Sequence, residues 1–179
     1  MGILVEFNPD LALRNISEYK AGRRKIEECI PESLKENTTY EFLKEVSDSD
    51  IADLDCLLKQ LTTPDRPLTR ESVMETISSG DLLVARDTET GKIIGTVSLF
   101  RIPTLLGVDG CIENIVVHTD YRKQGIGRIL MEMVFEKSRC YGWHKAEWTS
   151  GDYRTEAFNF YRKIPEVKYR PQTRYTKVL

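Results

Sequence analysis

The sequence is poor in the side chains that bind metals and form disulfides. Its 179 residues include only 4 cysteines and 2 histidines. The cysteines are widely spaced without a Cys-x-x-Cys pair, which is more typical of small buried hydrophobic residues than of a disulfide framework. Together the two residue types form no metal-ligand constellation, so we expect no bound metal. They are Cys29, Cys56, Cys111, Cys140, His118 and His144.

An excess of charge of one sign is lacking as well, and so are long apolar runs. Lys and Arg number 26 against 28 Asp and Glu, a formal net charge of −2, which gives no general argument for nucleic acid or an anionic membrane surface. No apolar stretch approaches the roughly 20 residues of a membrane-spanning helix. Met1–Asn8 has neither the cationic region nor the apolar core of a signal peptide. We therefore expect a cytoplasmic protein with no nucleic-acid and no membrane partner.

Residues 1–37 differ in pattern from the rest of the chain. Asn8-Pro9-Asp10 indicates a turn or a helix start, and hydrophobic residues then recur loosely among dense mixed charges as far as Pro31. The basic cluster Tyr19–Lys25 is flanked by glutamates, so we interpret it as a solvated helix face rather than an anion site. The pattern predicts a helical arm that packs on the domain, bridges a dimer or holds a partner. The sequence does not choose among these roles.

A domain covering residues 38–179 is predicted from alternating strands and amphipathic helices. The only strand–helix–strand unit that favours a parallel pair runs from Ile112 to Thr149. The fold class is therefore α/β (α+β), with a mixed, mostly antiparallel sheet and helices on both faces. In order, the predicted elements are a strand 39–46, a helix 51–61 capped by Ser47–Asp50, a helix between Thr69 and Gly80, hairpin strands 82–86 and 93–100, a loop 103–110, a strand 112–118, a helix from Ile126 to Gly142, a strand 144–149, a helix 157–164, and one or two strands over 167–179.

The most informative stretch is the polar turn between the strand at 112–118 and the helix at Ile126. It carries Arg122, Lys123 and Arg128 and two glycines, Gly125 and Gly127. Glycine lets the backbone approach a ligand, and the N–H groups at a helix start point outward at the positive end of the helix dipole. This combination predicts a seat for an anion such as a diphosphate.

A dinucleotide-binding fold is the alternative reading of this glycine pair. That fingerprint requires a third glycine, and Leu130 occupies its place. Glu147 does lie about 20 residues downstream, where the fold places a ribose-binding acid. The residue at position 130 decides against the dinucleotide reading.

The sequence Arg122–Gly127 resembles the acyl-CoA-binding motif Gln/Arg-x-x-Gly-x-Gly/Ala of the GNAT acetyltransferase superfamily, and the element order of residues 38–179 resembles its fold. Ala157–Lys163 is similar to a later motif of the family, and Gly110–Val117 is similar to the corresponding strand of glucosamine-phosphate N-acetyltransferases. The chain departs from the family pattern at Arg154, where asparagine is common, and at Ile164–Val167, where Gly-Phe is usual. Both departures lie outside the cofactor motif.

The resemblance implies that acetyl-CoA is bound as co-substrate where two parallel strands part. Backbone groups of the first of these strands would pair with the pantetheine arm, and N–H groups and cations of the turn would hold the diphosphate. The implied cofactor-binding residues are Ile115, Val116, Val117, Arg122, Lys123, Gln124, Gly125, Ile126, Gly127 and Arg128.

Two residues are candidates for proton transfer. Tyr161 is the candidate general acid toward the departing thiolate, a role that rests on the family resemblance because its helical spacing alone favours a core aromatic. Glu113 is the candidate base for a protonated amine, and a structural strand carboxylate is an equal alternative. Glu147 and His118 are weaker candidates for the base. No arrangement of residues indicates a covalent route.

The resulting functional hypothesis is an acetyl-CoA-dependent N-acetyltransferase. It would act on a primary amine of a small molecule, such as an amino sugar or an amino acid derivative. The alternatives are acetylation of a protein or peptide amine and a non-catalytic acyl-CoA-binding interaction module. A homodimer is plausible from the family resemblance and from the frequency of soluble dimers.

Overall fold

The computed structural model describes residues 32–63, 66–151, 153–173 and 175–177. The chain divides into two compact units between Trp148 and Thr149. Most of the predicted N-terminal arm, residues 1–31, lies outside the described residues. Among the described residues, no helix combines the length and the apolar character needed to cross a bilayer.

A five-stranded sheet in the sequential order β1-β2-β3-β4-β5 organises the first unit. All neighbouring strands are antiparallel except β4 and β5, which are parallel. This confirms the predicted fold class, including the one parallel pair. The strands are β1 (Thr38–Phe42), β2 (Gly80–Asp87), β3 (Ile93–Thr104), β4 (Gly107–Val117) and β5 (Ala146–Glu147).

Two capped helices cover one face of the sheet. In α2 (Asp48–Leu61), which follows a short helix α1 (Glu32–Asn37), the Ser47 side chain accepts a bond from the Asp50 N–H and the Asp50 carboxylate accepts one from the Ser47 N–H. Thr69 and Ser72 form the same reciprocal cap for α3 (Arg70–Ser79). Such caps satisfy backbone groups that a helix start leaves without partners. The apolar sides of these helices form a core cluster with the sheet, which includes Leu43, Leu54, Leu57, Val73, Leu82, Val84 and Val116.

The opposite face of the sheet carries α4 (Ile126–Cys140). Its side chains Ile126 and Leu130 lie within 3.4 Å of the position that a Cβ would take at Gly95 of β3, so a glycine is needed there for close packing. The predicted helix end is confirmed, because Gly142 has a φ of 71° and donates its N–H to the Arg139 carbonyl. Helices therefore cover both faces, as predicted.

Two sequence predictions are wrong. The predicted loop 103–110 is strand over most of its length, because Thr104 pairs with Gly107 and only Leu105 and Leu106 form the hairpin turn. The predicted strands over 167–179 are absent from the described residues 167–173 and 175–177. The second unit instead contains the predicted helix, α5 (Thr155–Tyr161).

Candidate functional site

A β-bulge interrupts β4 at Asn114. On β3, Thr96 pairs with Val116 and Ser98 with Glu113, so Asn114 and Ile115 together oppose one residue of β3. Asn114 has a φ of 55°, in the left-handed region that residues other than glycine rarely adopt. Bulges of this kind leave one residue outside the hydrogen-bond ladder and re-aim nearby side chains.

The bulge decides which face of the sheet Glu113 occupies. Residues three apart on a regular strand lie on opposite faces, but Glu113 and Val116 pair with residues two apart on β3 and so share a face. That face also carries Thr96 and Ser98, both buried, and it is the face that α2 and α3 cover. Glu113 is half-buried there, with one carboxylate oxygen 3.6 Å from the Cys111 sulfur.

A small cavity of about 60 Å³ lies on the same face. Its wall joins the bulge to the two covering helices and is mostly apolar, with a few hydroxyl and amide groups. The lining residues are Leu54, Leu58, Leu68, Val73, Thr76, Leu82, Thr96, Ser98 and Asn114. The cavity therefore adjoins Ser98, the direct cross-strand partner of Glu113.

The parallel strands β4 and β5 part soon after they meet. Pairing is confined to Gly110 with Ala146 and Cys111 with Glu147. Close approach at this point depends on Gly110, because a Cβ there would lie 2.9 Å from the Trp143 ring. Beyond Cys111, no described strand pairs with β4 on the β5 side. Residues 112–117 thus present an edge with which no described strand pairs.

The turn after β4 is fixed by a helix remote in sequence. The side-chain oxygen of Gln60, in the last turn of α2, accepts bonds from the Thr119 N–H at 2.9 Å and from its hydroxyl at 2.8 Å. Thr119 begins a 3₁₀ turn, Thr119–Tyr121, that leads into the glycine sequence. Sequence reasoning missed Gln60, since nothing local links it to the turn.

The backbone of the glycine turn presents open hydrogen-bond donors. Lys123 and Gly125 have φ values of 63° and 98°, and Gly125 is the N-cap residue of α4. The N–H groups of residues 123–127 have no hydrogen-bond partner among the described residues. Arg128 differs from the expectation, because its N–H bonds to the Gly125 carbonyl at 3.0 Å. Five consecutive amides at the positive end of a helix are therefore available to an anion.

Two of the predicted binding side chains, Arg122 and Gln124, form hydrogen bonds to nearby backbone carbonyls. The Arg122 side chain donates through Nε to the Val117 carbonyl at 3.0 Å, so this carbonyl is already engaged. Gln124 donates through its amide nitrogen to the Asp120 carbonyl at 3.4 Å. Arg122, Lys123 and Arg128 are exposed, and the described residues include no acidic side chain paired with them. Their charge is thus available near the open amides.

A larger open pocket of about 350 Å³ lies on the other side of the 3₁₀ turn, toward the β2–β3 connection. Three carboxylates line it, so it disfavours phosphate and does not compete with the amides as an anion site. The lining residues are Asn37, Thr38, Asp87, Thr88, Glu89, Asp120, Tyr121 and Gln124.

The two weaker candidates for the base have other local interactions. Glu147 forms an ion pair with Lys145 at 2.9 Å. In His118, Nδ1 accepts the Asp120 N–H at 3.4 Å, and the ring packs edge-on against Tyr121. Glu113 stays the preferred candidate, because it faces the cavity side of β4.

Tyr161 belongs to the second unit, at the end of α5. Burial raises the pKa of its hydroxyl to about 12, although the nearby Arg154 guanidinium acts in the opposite direction. The hydroxyl is therefore protonated at neutral pH. The other predicted site residues all belong to the first unit, where β4 and the turn bring Glu113, the strand edge and the glycine sequence into one continuous segment.

The chain is similar to known proteins in sequence and in fold. Residues 50–164 match the model of the acetyltransferase (GNAT) family. The chain is similar to a Trypanosoma brucei acetyltransferase of known structure, with 27% identity, a TM-score of 0.64, and coverage of 79% of this chain and 100% of that one.

Two further solved structures show a similar fold. One is glucosamine-6-phosphate N-acetyltransferase from Arabidopsis thaliana, with 21% identity, a TM-score of 0.59, and coverage of 78% and 99% of the two chains. The other is ribosomal-protein-alanine N-acetyltransferase from Brucella melitensis, with 21% identity, a TM-score of 0.61, and coverage of 79% and 99%. At this identity the similarity concerns the fold alone.

Proposed function

The chain belongs to the GNAT acetyltransferase family, and on that premise we propose that it transfers an acetyl group from acetyl-CoA directly to a primary amine of a small molecule. The observation that carries the proposal is the edge of β4 beyond Cys111, which pairs with no described strand and continues into five open amides at residues 123–127. A strand edge suits the amide-rich pantetheine arm, and the amides suit a diphosphate. These two features follow each other along the chain, as the two parts of coenzyme A do.

Binding of the donor is assigned to the segment from Ile115 to Arg128. The backbone of residues 115–117 would pair with pantetheine, except that the Val117 carbonyl is taken by Arg122. The N–H groups of residues 123–127 would hold the diphosphate. Charge-assisted hydrogen bonds to the diphosphate would come from the side chains of Arg122, Lys123 and Arg128. No acidic side chain among the described residues pairs with these three cations.

Acetyl-CoA, the co-substrate, would supply a thioester carbonyl that an amine can attack. The bulge at Asn114 leaves one residue of β4 outside the ladder. A backbone N–H at that point would polarise the carbonyl oxygen, and donors of this kind are worth about 2.7–4 kcal/mol in other enzymes.

Glu113 is proposed to prepare the amine. A primary amine with a pKa of about 10 is protonated at neutral pH and must lose a proton before it can attack. Glu113 faces the side of β4 where the cavity lies, so we assign the approach of the acceptor to that side. The carboxylate would take the proton directly or through water.

Tyr161 is proposed to assist departure of the thiolate. With a pKa of about 12 its hydroxyl keeps its proton at neutral pH and can donate a hydrogen bond to sulfur. Complete transfer to a thiolate whose conjugate acid has a pKa of about 8.5 would be uphill. We therefore assign Tyr161 mainly a hydrogen-bonding role as the carbon–sulfur bond breaks, with the thiolate finally protonated from solvent.

The experiment that tests the proposal measures thiol release from acetyl-CoA in a panel of amines. The similar structures suggest two members of the panel: glucosamine 6-phosphate and a peptide with an N-terminal alanine. An amino acid derivative without phosphate completes it. The proposal predicts acetylation of a small amine with formation of an amide product.

The outcomes separate the candidate functions. Turnover only with the peptide would assign a protein or peptide amine as the acceptor. Binding of CoA without turnover on any amine would favour a non-catalytic module. Failure to bind CoA at all would contradict the donor site itself.

A further inference from the structure

The short helix α1 lies against the glycine turn, although it precedes the region that matches the family. Leu34 of α1 is only 5% exposed. Its Cδ1 lies 3.2 Å from the position that a Cβ would occupy at Gly125. The family match begins at residue 50, so Leu34 comes from outside the matched domain.

The C-terminal end of α1 is hydrogen-bonded to the β2–β3 turn, and this fixes the position of the helix that carries Leu34. The Thr88 N–H donates to the Asn37 carbonyl at 3.1 Å, and the Thr88 hydroxyl donates to the Glu36 carbonyl at 3.1 Å. Directly after α1, Thr38 is buried and pairs with Asp87. These bonds anchor α1 to the sheet independently of the glycine turn.

The glycine turn needs such support from outside. Lys123 has a φ of 63°, which costs a residue with a side chain roughly 1–2 kcal/mol. The open amides of residues 123–127 form no bonds within the described protein that would hold this conformation. Strained backbone persists where the surrounding structure fixes it. Leu34 packs against Gly125, in the middle of the five amides.

We infer that Leu34 is a positioning residue for the diphosphate site and that α1, which precedes the family domain, is thereby part of the donor-binding machinery. The inference rests on the proposed function, because it assumes that the amides bind coenzyme A. Leu34 touches no reacting atom. Its contribution is to keep the amides in the conformation that receives the anion, so that this order need not be created on binding.

The test compares Leu34→Ala with Leu43→Ala in the full-length protein. Leu43 is similarly buried, at 9% exposed, but belongs to the core under α2 and α3. Both variants lose packing and should unfold at lower temperature. CoA affinity is measured by calorimetry. Affinity for pantetheine, which lacks the diphosphate, is measured by shifts of backbone amide signals, a readout suited to weak binding.

We expect Leu34→Ala to weaken CoA binding about tenfold, equivalent to about 1.4 kcal/mol, and to leave pantetheine binding unchanged. Leu43→Ala should leave both affinities unchanged, and Leu34→Met, which keeps the volume, should restore CoA affinity. If Leu34→Ala does not fold, Leu34→Val is expected to give a smaller loss in the same direction.

Two results would overturn the inference: wild-type CoA affinity in a folded Leu34→Ala or Leu34→Val protein, or an equal loss in Leu43→Ala. Failure of the wild-type protein to bind CoA is a different result. It would contradict the proposed function, and with it this inference, before any variant is compared.

Discussion

Substitution of Gly125 by alanine is expected to weaken CoA binding through the backbone alone. Gly125 has a φ of 98°, and an added Cβ would lie 3.2 Å from the Leu34 side chain. An alanine held at positive φ costs about 1–2 kcal/mol. The free variant can escape this cost by relaxing the turn, but it must return to the strained form to bind. Affinity should therefore fall about 5- to 30-fold.

Gly142→Ala is the matched control for this prediction. Gly142 also has a positive φ, 71°, and a Cβ there would meet nothing within 4 Å. It lies just after the C-terminal end of α4, whereas Gly125 lies at the start of that helix. Gly142→Ala should lose about 2–4 °C in Tm for each kcal/mol, whereas Gly125→Ala should lose less, because its turn relaxes in the free protein. Only Gly125→Ala should lose CoA affinity.

Calorimetry with CoA and thermal unfolding of both variants check the reasoning. If Gly125→Ala binds CoA as tightly as wild type with little loss of stability, the turn does not need its left-handed conformation for binding. If it binds as tightly but loses as much stability as Gly142→Ala, the turn does not relax in the free protein. An equal loss of affinity in both variants would be as damaging, since it would point to general destabilisation.

Three further predictions concern the chemistry and the fold. Tyr161→Phe should lower kcat by about 10²-fold and spare the CoA Kd; an unchanged kcat would remove Tyr161 from the mechanism. Glu113→Gln should lower the rate of acetylation by about 10²- to 10⁴-fold, and less at high pH, where more of the amine is neutral; a deficit that is the same at every pH would argue against a base. For Asp50, burial tends to raise the pKa, but hydrogen bonds from the Ser47 N–H and from Arg86 outweigh burial and lower it. The stability it contributes is present above its unfolded pKa of about 3.9 and is lost as pH falls through the lower folded value. Asp50→Asn should therefore flatten the acid limb of the unfolding free energy, and an acid limb that matches wild type would contradict the role of these bonds.

Local signals in the sequence were sufficient for the capped helices and for the turn. Ser47 and Thr69 cap their helices through residues three positions away, so the information lies within one turn. Gly142 ends α4 in a left-handed conformation, which also depends only on the local sequence. These interactions depend on neighbours in sequence, which is why the pattern predicts them.

Features decided by distant partners could not be predicted in this way. Pro103 and Gly110 favour a loop by composition, but cross-strand pairing extends the β3–β4 hairpin through both. Residues 167–170 alternate between apolar and basic side chains, yet residues 167–173 and 175–177 form no strand. β5 is short because only Ala146 and Glu147 pair with β4 before the strands part.

In the candidate site, too, features set by neighbouring residues are predictable and features set by distant contacts are not. The glycine sequence and the strand before it are predicted from the residues, whereas the bulge at Asn114 is not, because the β-forming residues on both sides of Glu113 and Asn114 favour a regular strand. That bulge alone determines that Glu113 shares a face with Val116. Gln60 and Leu34 reach the turn from far along the chain, and a single sequence carries no signal for either contact.

The most direct test of the central claim follows the backbone amide signals of the wild-type protein by ¹⁵N NMR as CoA is added. If the diphosphate binds as proposed, the amides of residues 123–127 should shift downfield with CoA and not with pantetheine. The Arg128 amide should move less, because it already bonds to Gly125. Saturation with CoA that leaves those five signals in place would contradict the account.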